Sequence, residues 1–147
     1  MRQVFILLAA LVTGLGSCAQ IRKTPASVST AFEKQYPAAS KVQYEDNLFN
    51  VLVHFVLDSG KMVAKYDSEG KWKETERESS YESLPADIKT GFEKSKFFTD
   101  WKVKQTTIIY MPQDDTRYRL RIEKNDVAKK YLFFDKSGRL IKDSMTI

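Results

Sequence analysis

The chain has 147 residues, 42% of them hydrophobic and 29% charged, with a formal charge of +5. That length and balance suit one compact globular domain or two small packed subdomains, and exclude a disordered or many-domain protein. The basic excess is spread along the chain with acids interleaved, which gives no argument for nucleic acid as a partner.

The elements begin with a leader. Arg2 gives a positive start, Val4 to Val12 form an apolar run, and Leu15-Gly16-Ser17-Cys18 follows. A charged start, a short apolar core and small residues before a cut site make a secretory signal. The run is shorter than the roughly 20 apolar residues a membrane-spanning helix needs. The tetrad resembles the lipobox of bacterial lipoproteins, which implies that Cys18 becomes the lipidated first residue of the mature chain. An ordinary secretory signal cut after Ala19 is the alternative. On the lipobox reading, residues 1–17 are the signal peptide and 18–23 a lipidated tether. The implied localisation is the cell envelope: exported, periplasmic and lipid-anchored, at the outer membrane. Cys18 is the only cysteine, so the exported domain has no disulfide and relies on its own core.

The rest repeats itself. Thr24-Pro25-Ala26-Ser27-Val28-Ser29-Thr30-Ala31-Phe32-Glu33-Lys34 aligns with Leu84-Pro85-Ala86-Asp87-Ile88-Lys89-Thr90-Gly91-Phe92-Glu93-Lys94. Tyr66-Asp67-Ser68-Glu69-Gly70-Lys71-Trp72 aligns further on with Phe134-Asp135-Lys136-Ser137-Gly138-Arg139-Leu140. Two matches in the same order predict two tandem copies, 24–79 and 80–147.

Each copy opens with a helix. Pro25 and Pro85 suit a first turn, where a missing N–H costs nothing. Val28, Ala31, Phe32 and Tyr36 form one apolar stripe, which Ile88, Gly91 and Phe92 begin again. Pro37 ends the first helix. Lys41 to Glu45 is a short strand. The period then turns to two from Phe49 to Leu57, Asp58-Ser59-Gly60-Lys61 is a hairpin turn, and Lys61–Tyr66 and Lys71–Glu78 return as strands. In the second copy the strands are about Trp101–Met111, Arg117–Lys124, Lys129–Asp135 and Arg139–Ser144. The expected fold is α+β: a tandem repeat of one helix followed by a four-stranded antiparallel sheet, with one sheet face free.

Tyr36-Pro37-Ala38-Ala39, an exposed-edge strand and Asp67-x-x-Gly70 resemble the PepSY-like lipoprotein domain of Bacteroidetes-type envelope proteins. The tandem helix-plus-sheet arrangement is also similar to the β-lactamase-inhibitor protein fold. The resemblance implies a non-enzymatic, exported binding or inhibitory module with no catalytic residues to carry over.

The residues themselves offer little catalytic chemistry. His54 is the only histidine, and no set of three or four metal ligands accompanies it. It reads as a histidine on the solvent or partner face of a strand. No nucleophile elbow and no phosphate-cradling glycine loop are present, so neither a catalytic set, a cofactor nor a metal is expected. Glu74, Glu76 and Glu78 fall on one side of a strand and read as a charged, solvated edge. Asp114-Asp115 beside Pro112 reads as a turn.

The remaining pattern is basic. Arg117, Arg119 and Arg121 alternate with Tyr118, Leu120 and Ile122, and Lys102 and Lys104 alternate on the strand before. These five are the expected partner-binding stripe, on the sheet face away from the helix, since arginine is favoured at interfaces. The alternative for the stripe is a solvated face neutralised by Glu123 and nearby acids. Two functions are compatible with this. One is a protein-binding or inhibitory envelope lipoprotein that uses the free sheet face, touches the membrane only through its lipid anchor and binds no nucleic acid. The alternative is a small-ligand or ion carrier using a cleft between the copies.

Overall fold

The computed structural model describes residues 24–145. Cys18 and the leader lie outside the described residues. The elements run α1 (Ala26–Gln35), β1 (Ser40–Asp46), β2 (Val51–Leu57), β3 (Gly60–Tyr66), β4 (Trp72–Ser79), α2 (Ala86–Glu93), β5 (Lys102–Met111), β6 (Asp115–Glu123), β7 (Lys129–Asp135) and β8 (Leu140–Met145).

All eight strands form a single antiparallel sheet in chain order, β1 through β8. The two expected four-stranded sheets are therefore joined into one. The join is the β4–β5 ladder, in which Thr75 stands opposite Tyr110 and Ser79 opposite Thr106. Pairing the last strand of one half with the first of the other removes two edges that would otherwise expose unpaired backbone groups. It also corrects the reading of Glu74, Glu76 and Glu78 as an edge. They lie on β4, a central strand with β3 on one side and β5 on the other; Glu74 is met by Lys65, Glu76 by Arg119, and Glu78 accepts from the Gln105 amide.

Each helix covers half of the same face. In the first half Val28 and Phe32 of α1 pack with Val51, Val53, Phe55, Met62, Ala64 and Tyr66. In the second, Ile88 and Phe92 of α2 pack with Leu120, Ile122, Leu132 and Phe134. The register carries one face across the seam. Ala64 stands opposite Thr75, Thr75 opposite Tyr110, and Thr106, on the same side of β5 as Tyr110, opposite Leu120. Residues two apart in a strand share a face, so both helices sit on one side and the other side is bare. The stripe Val28, Phe32 and its counterpart Ile88, Phe92 are buried as their spacing predicts.

Aromatic rings fill the first core: Phe32 lies 5.0 Å from Phe55 and 6.5 Å from Tyr66, both edge-on. The polar ends of this core are satisfied. Fully buried Thr75 meets the Tyr36 hydroxyl at 2.7 Å and accepts from the Trp72 indole at 2.8 Å. Tyr66 donates to Gln35 Oε1 at 2.9 Å, and burial pushes its phenol pKa up. A buried hydroxyl without such partners costs about 1–3 kcal/mol.

The turns follow the residues that make them. Asp58 and Ser59 both have positive φ, 49° and 62°, and with Leu57 opposite Gly60 they form the two-residue hairpin turn that matches strand twist. Asp67 and Asp135 each close a four-residue turn by accepting two backbone N–H groups, from Glu69 and Lys71 and from Ser137 and Arg139. The Ser137 hydroxyl, with the Arg139 backbone and guanidinium, holds the Asp135 carboxyl at about 2. The Lys73 ammonium, with the Lys71 backbone, likewise lowers that of Asp67.

In both turns the glycine has a left-handed φ, 84° at Gly70 and 80° at Gly138. A Cβ at Gly70 would strike the Ser27 carbonyl, and one at Gly138 the Asp87 carbonyl. Each Asp-x-x-Gly turn thus abuts the first turn of its own helix at equivalent places. Gly91 of α2 in turn has the Gly138 carbonyl where its Cβ would be.

Most strand boundaries lie one or two residues from the expected ones, and Asp115, expected in a turn, begins β6. Phe49 is not in β2 but at the β1–β2 tip, where the backbone closes from Asn47 N–H to the Asn50 carbonyl at 2.8 Å. β5 has an irregular register between Val103 and Gln105, a β-bulge that changes which residues after Lys102 align with β6.

Candidate functional site

The bare face is a field of side chains set by strand alternation. From β2 come Leu52, His54 and Val56, and from β3 Lys61, Val63 and Lys65. β4 adds Glu74, Glu76 and Glu78, β5 Gln105, Thr107 and Ile109, and β6 Arg117, Arg119 and Arg121. Tyr131 and Phe133 of β7 continue it. No helix among the described residues covers it.

The three expected arginines stand together here, and each already has a carboxylate. Arg119 is the most tightly held. Its Nη1 and Nη2 donate to the two carboxylate oxygens of Glu76 at 2.8 and 2.7 Å, and Nη2 also reaches Thr107 Oγ1 at 3.3 Å. Its guanidinium carbon lies 5.4 Å from the Tyr131 ring centre. A two-pronged ion pair with a ring beneath it fixes the planar group in one orientation. Arg121 donates to Glu123 at 2.7 Å and Arg117 to Asp115 at 3.2 Å, both neighbours two residues along the same strand.

The two lysines part company. Lys102 is exposed and stands opposite Glu123, at the end of the arginine row. Lys104 falls in the bulge, so Gln105 rather than Lys104 stands opposite Arg121. The expected unbroken basic stripe is corrected to a mixed array. Acids and bases alternate across strands, and the cross-strand repulsion of like charges is relieved within the protein.

A groove of about 440 Å³ opens at the centre of this face. Lys41, Gln43 and His54 line it from β1 and β2, Lys61 and Val63 from β3, Glu76 and Glu78 from β4, Gln105 and Thr107 from β5, and Arg119 from β6. It therefore crosses the seam between the two halves. It is where the expected cleft between copies is met, as an open trough rather than a closed pocket. His54 lies on this face as expected, half-exposed, with Nε2 3.1 Å from Glu45 Oε2.

Sequence reasoning found the arginines and expected a cleft between the copies, but missed that the cleft is an open trough on the bare face and missed the aromatic side of the array. Tyr131 and Phe133 lie two residues apart with ring centres 6.5 Å apart, and the Lys142 ammonium sits 5.6 Å from the Phe133 ring. Their period-two placement in Lys129–Asp135 was the available signal.

Chemically, the charged groups, hydroxyl groups and aromatic rings of this face can form ion pairs, hydrogen bonds and stacking contacts. No group of three or more histidine, cysteine or acidic side chains is placed to hold a metal among the described residues. Among them, no helix is long and apolar enough to cross a membrane.

Comparison with known proteins follows the fold. A family model described as "Putative beta-lactamase-inhibitor-like, PepSY-like" matches residues 52–142. The chain is similar to a DUF2874 family protein from Bacteroides ovatus, with a TM-score of 0.78 and 21% identity over 84% of this chain and 88% of that one. It is similar to a BLIP-like protein from Bacteroides fragilis, with a TM-score of 0.74 and 24% identity over 82% and 84%. A protein from Bacteroides eggerthii described as "putative periplasmic" gives 0.75 and 19% over 84% and 89%. At these identities the likeness is one of fold. No curated protein matches the chain.

Proposed function

The chain belongs to the PepSY-like, β-lactamase-inhibitor-like family, and from that premise we propose that it is a non-enzymatic envelope lipoprotein that binds a protein partner through its bare sheet face. The observation that carries this reading is the groove of about 440 Å³, walled by charges of both signs, with Arg119 held by Glu76 and stacked on Tyr131. Pre-ordered arginine and aromatic groups lose little freedom when a partner docks, which is what interface anchors require. The partner is an envelope protein that presents both acidic and basic groups to the trough. Inhibition is one possible consequence of such docking. The two halves, each a helix on four strands with an Asp-x-x-Gly turn against the helix start, descend from a duplicated unit.

The charged start, the apolar run and the lipobox-like tetrad support a periplasmic location with an anchor through Cys18 to the outer membrane. Cys18→Ser should move it from the membrane to the soluble fraction or stop its processing. Binding is tested by capturing partners on the tagged mature chain from envelope extract and then measuring the identified partner's affinity for a Lys61→Glu/Gln105→Glu variant. A loss of at least about tenfold, with wild-type binding weakening as salt rises, is expected for rim charges. Unchanged affinity would remove the groove from the interface.

A further inference from the structure

The described chain begins at the end of the sheet where the β1–β2, β3–β4, β5–β6 and β7–β8 turns lie, because successive antiparallel strands reverse direction. Both helix starts are there too: Ser27 Oγ donates to the Ser68 carbonyl at 3.0 Å, and Asp87 abuts Gly138. At the same end the β1–β2 tip holds out Leu48 and Phe49, which are 80% and 83% exposed. Large apolar side chains that open to water, adjacent in sequence and pinned by the Asn47–Asn50 closure, call for a partner phase.

Three observations name that phase. Pro25 lines the same recess as Leu48, Phe49 and Ser68, so the chain enters the fold beside the tip. Only five residues separate Cys18 from Thr24, which confines an anchored Cys18 to within about 20 Å of the fold. Two of the five are Arg22 and Lys23, cations that an anionic lipid surface attracts at a short distance; Asp46 lines the recess, and of the two acids in the neighbouring β3–β4 turn, Asp67 and Glu69, Asp67 is paired with Lys73 at 2.8 Å. We infer that the Leu48–Phe49 tip enters the interfacial layer of the bilayer that holds Cys18. It would act as a second, non-covalent contact beside the anchor. This rests on the acylation of Cys18 proposed above and goes beyond it. A lipid chain alone leaves the domain free to tumble, whereas a second contact at one end sets the strands upright on the membrane. The bare face then looks sideways, along the surface, toward neighbouring envelope proteins.

The test couples the mature chain, residues 18–147, through the Cys18 thiol to a maleimide lipid. The vesicles are of phosphatidylethanolamine and phosphatidylglycerol, with brominated acyl chains as quenchers. Coupling sets position 18 at the surface whether or not the cell acylates it, so failure of the acylation reading appears in the Cys18→Ser fractionation and leaves this result intact. Phe49→Trp reports on the tip. Val127→Trp reports on the β6–β7 turn at the opposite end, where Val127 is 90% exposed. The wild-type chain supplies the background of Trp72 and Trp101. The inference expects the added emission at position 49 to fall about twofold or more, as for side chains buried about 5–10 Å into the interface, and that at position 127 to stay as in unbrominated vesicles. Adding Leu48→Ser to Phe49→Trp should weaken the quenching. Equal quenching at both ends, none at position 49, or shielding of that indole before lipid is added would overturn it.

Discussion

Arg119 shows why a basic residue on a bare face need not be a free charge. Its two-pronged bond to Glu76 joins residues 43 apart in sequence, and both side chains are only partly exposed, 23% and 31%. An exposed ion pair contributes about 0–1 kcal/mol, and a well-aligned, partly buried one lies at or above the top of that range. A double-mutant cycle of Arg119→Ala and Glu76→Ala should therefore give a coupling of about 1 kcal/mol in denaturant melts. Arg119→Ala alone should cost more than Arg117→Ala, whose partner Asp115 is 42% exposed. Equal costs would mean that the Glu76 pair does no more than a surface contact. The Glu123 partner of Arg121 was legible in the sequence, since residues two apart on a strand share a face; Asp115 was not, because it reads as a turn residue yet begins β6. Glu76 was not, because a helix and a strand intervene and no local pattern records which strands pair.

At the scale of elements, the readable features were those with local causes. Proline at the helix starts, the 3.6 period of Val28, Ala31 and Phe32, and the Asp-x-x-Gly turns all act within a few residues, and those elements formed where expected. The bulge near Lys104 and the β4–β5 ladder depend on register against distant strands, so the sheet's continuity and the place of Lys104 were hidden. Packing at equivalent places can be measured. Phe32→Ala and Phe92→Ala each empty one core and should each cost about 3–5 kcal/mol. Gly91→Ala adds one methyl and improves helix propensity, yet it should destabilise by about 1–3 kcal/mol, because the Gly138 carbonyl occupies that space and a packed backbone yields poorly. A Gly91→Ala variant as stable as wild type would show that the turn and α2 are not in close contact.

At the scale of the molecule, two helices on one side of an eight-stranded sheet leave the other side uncovered. On the proposed reading, the sheet face that carries Tyr131, Phe133, a fixed arginine and a trough across its centre is the one that meets another surface. On the helix side Val28 and Phe32 of α1 and Ile88 and Phe92 of α2 are buried in two separate cores. The most direct measurement of this division is photo-crosslinking in living cells. A benzophenone amino acid is placed at Lys61 or Gln105 in the trough and, for comparison, at Lys34 or Lys94 at the ends of the two helices. Proposed recognition through the bare face predicts a discrete protein adduct from Lys61 and Gln105 and none from Lys34 and Lys94. Adducts only from the helix positions, or equal labelling from both sides, would contradict it.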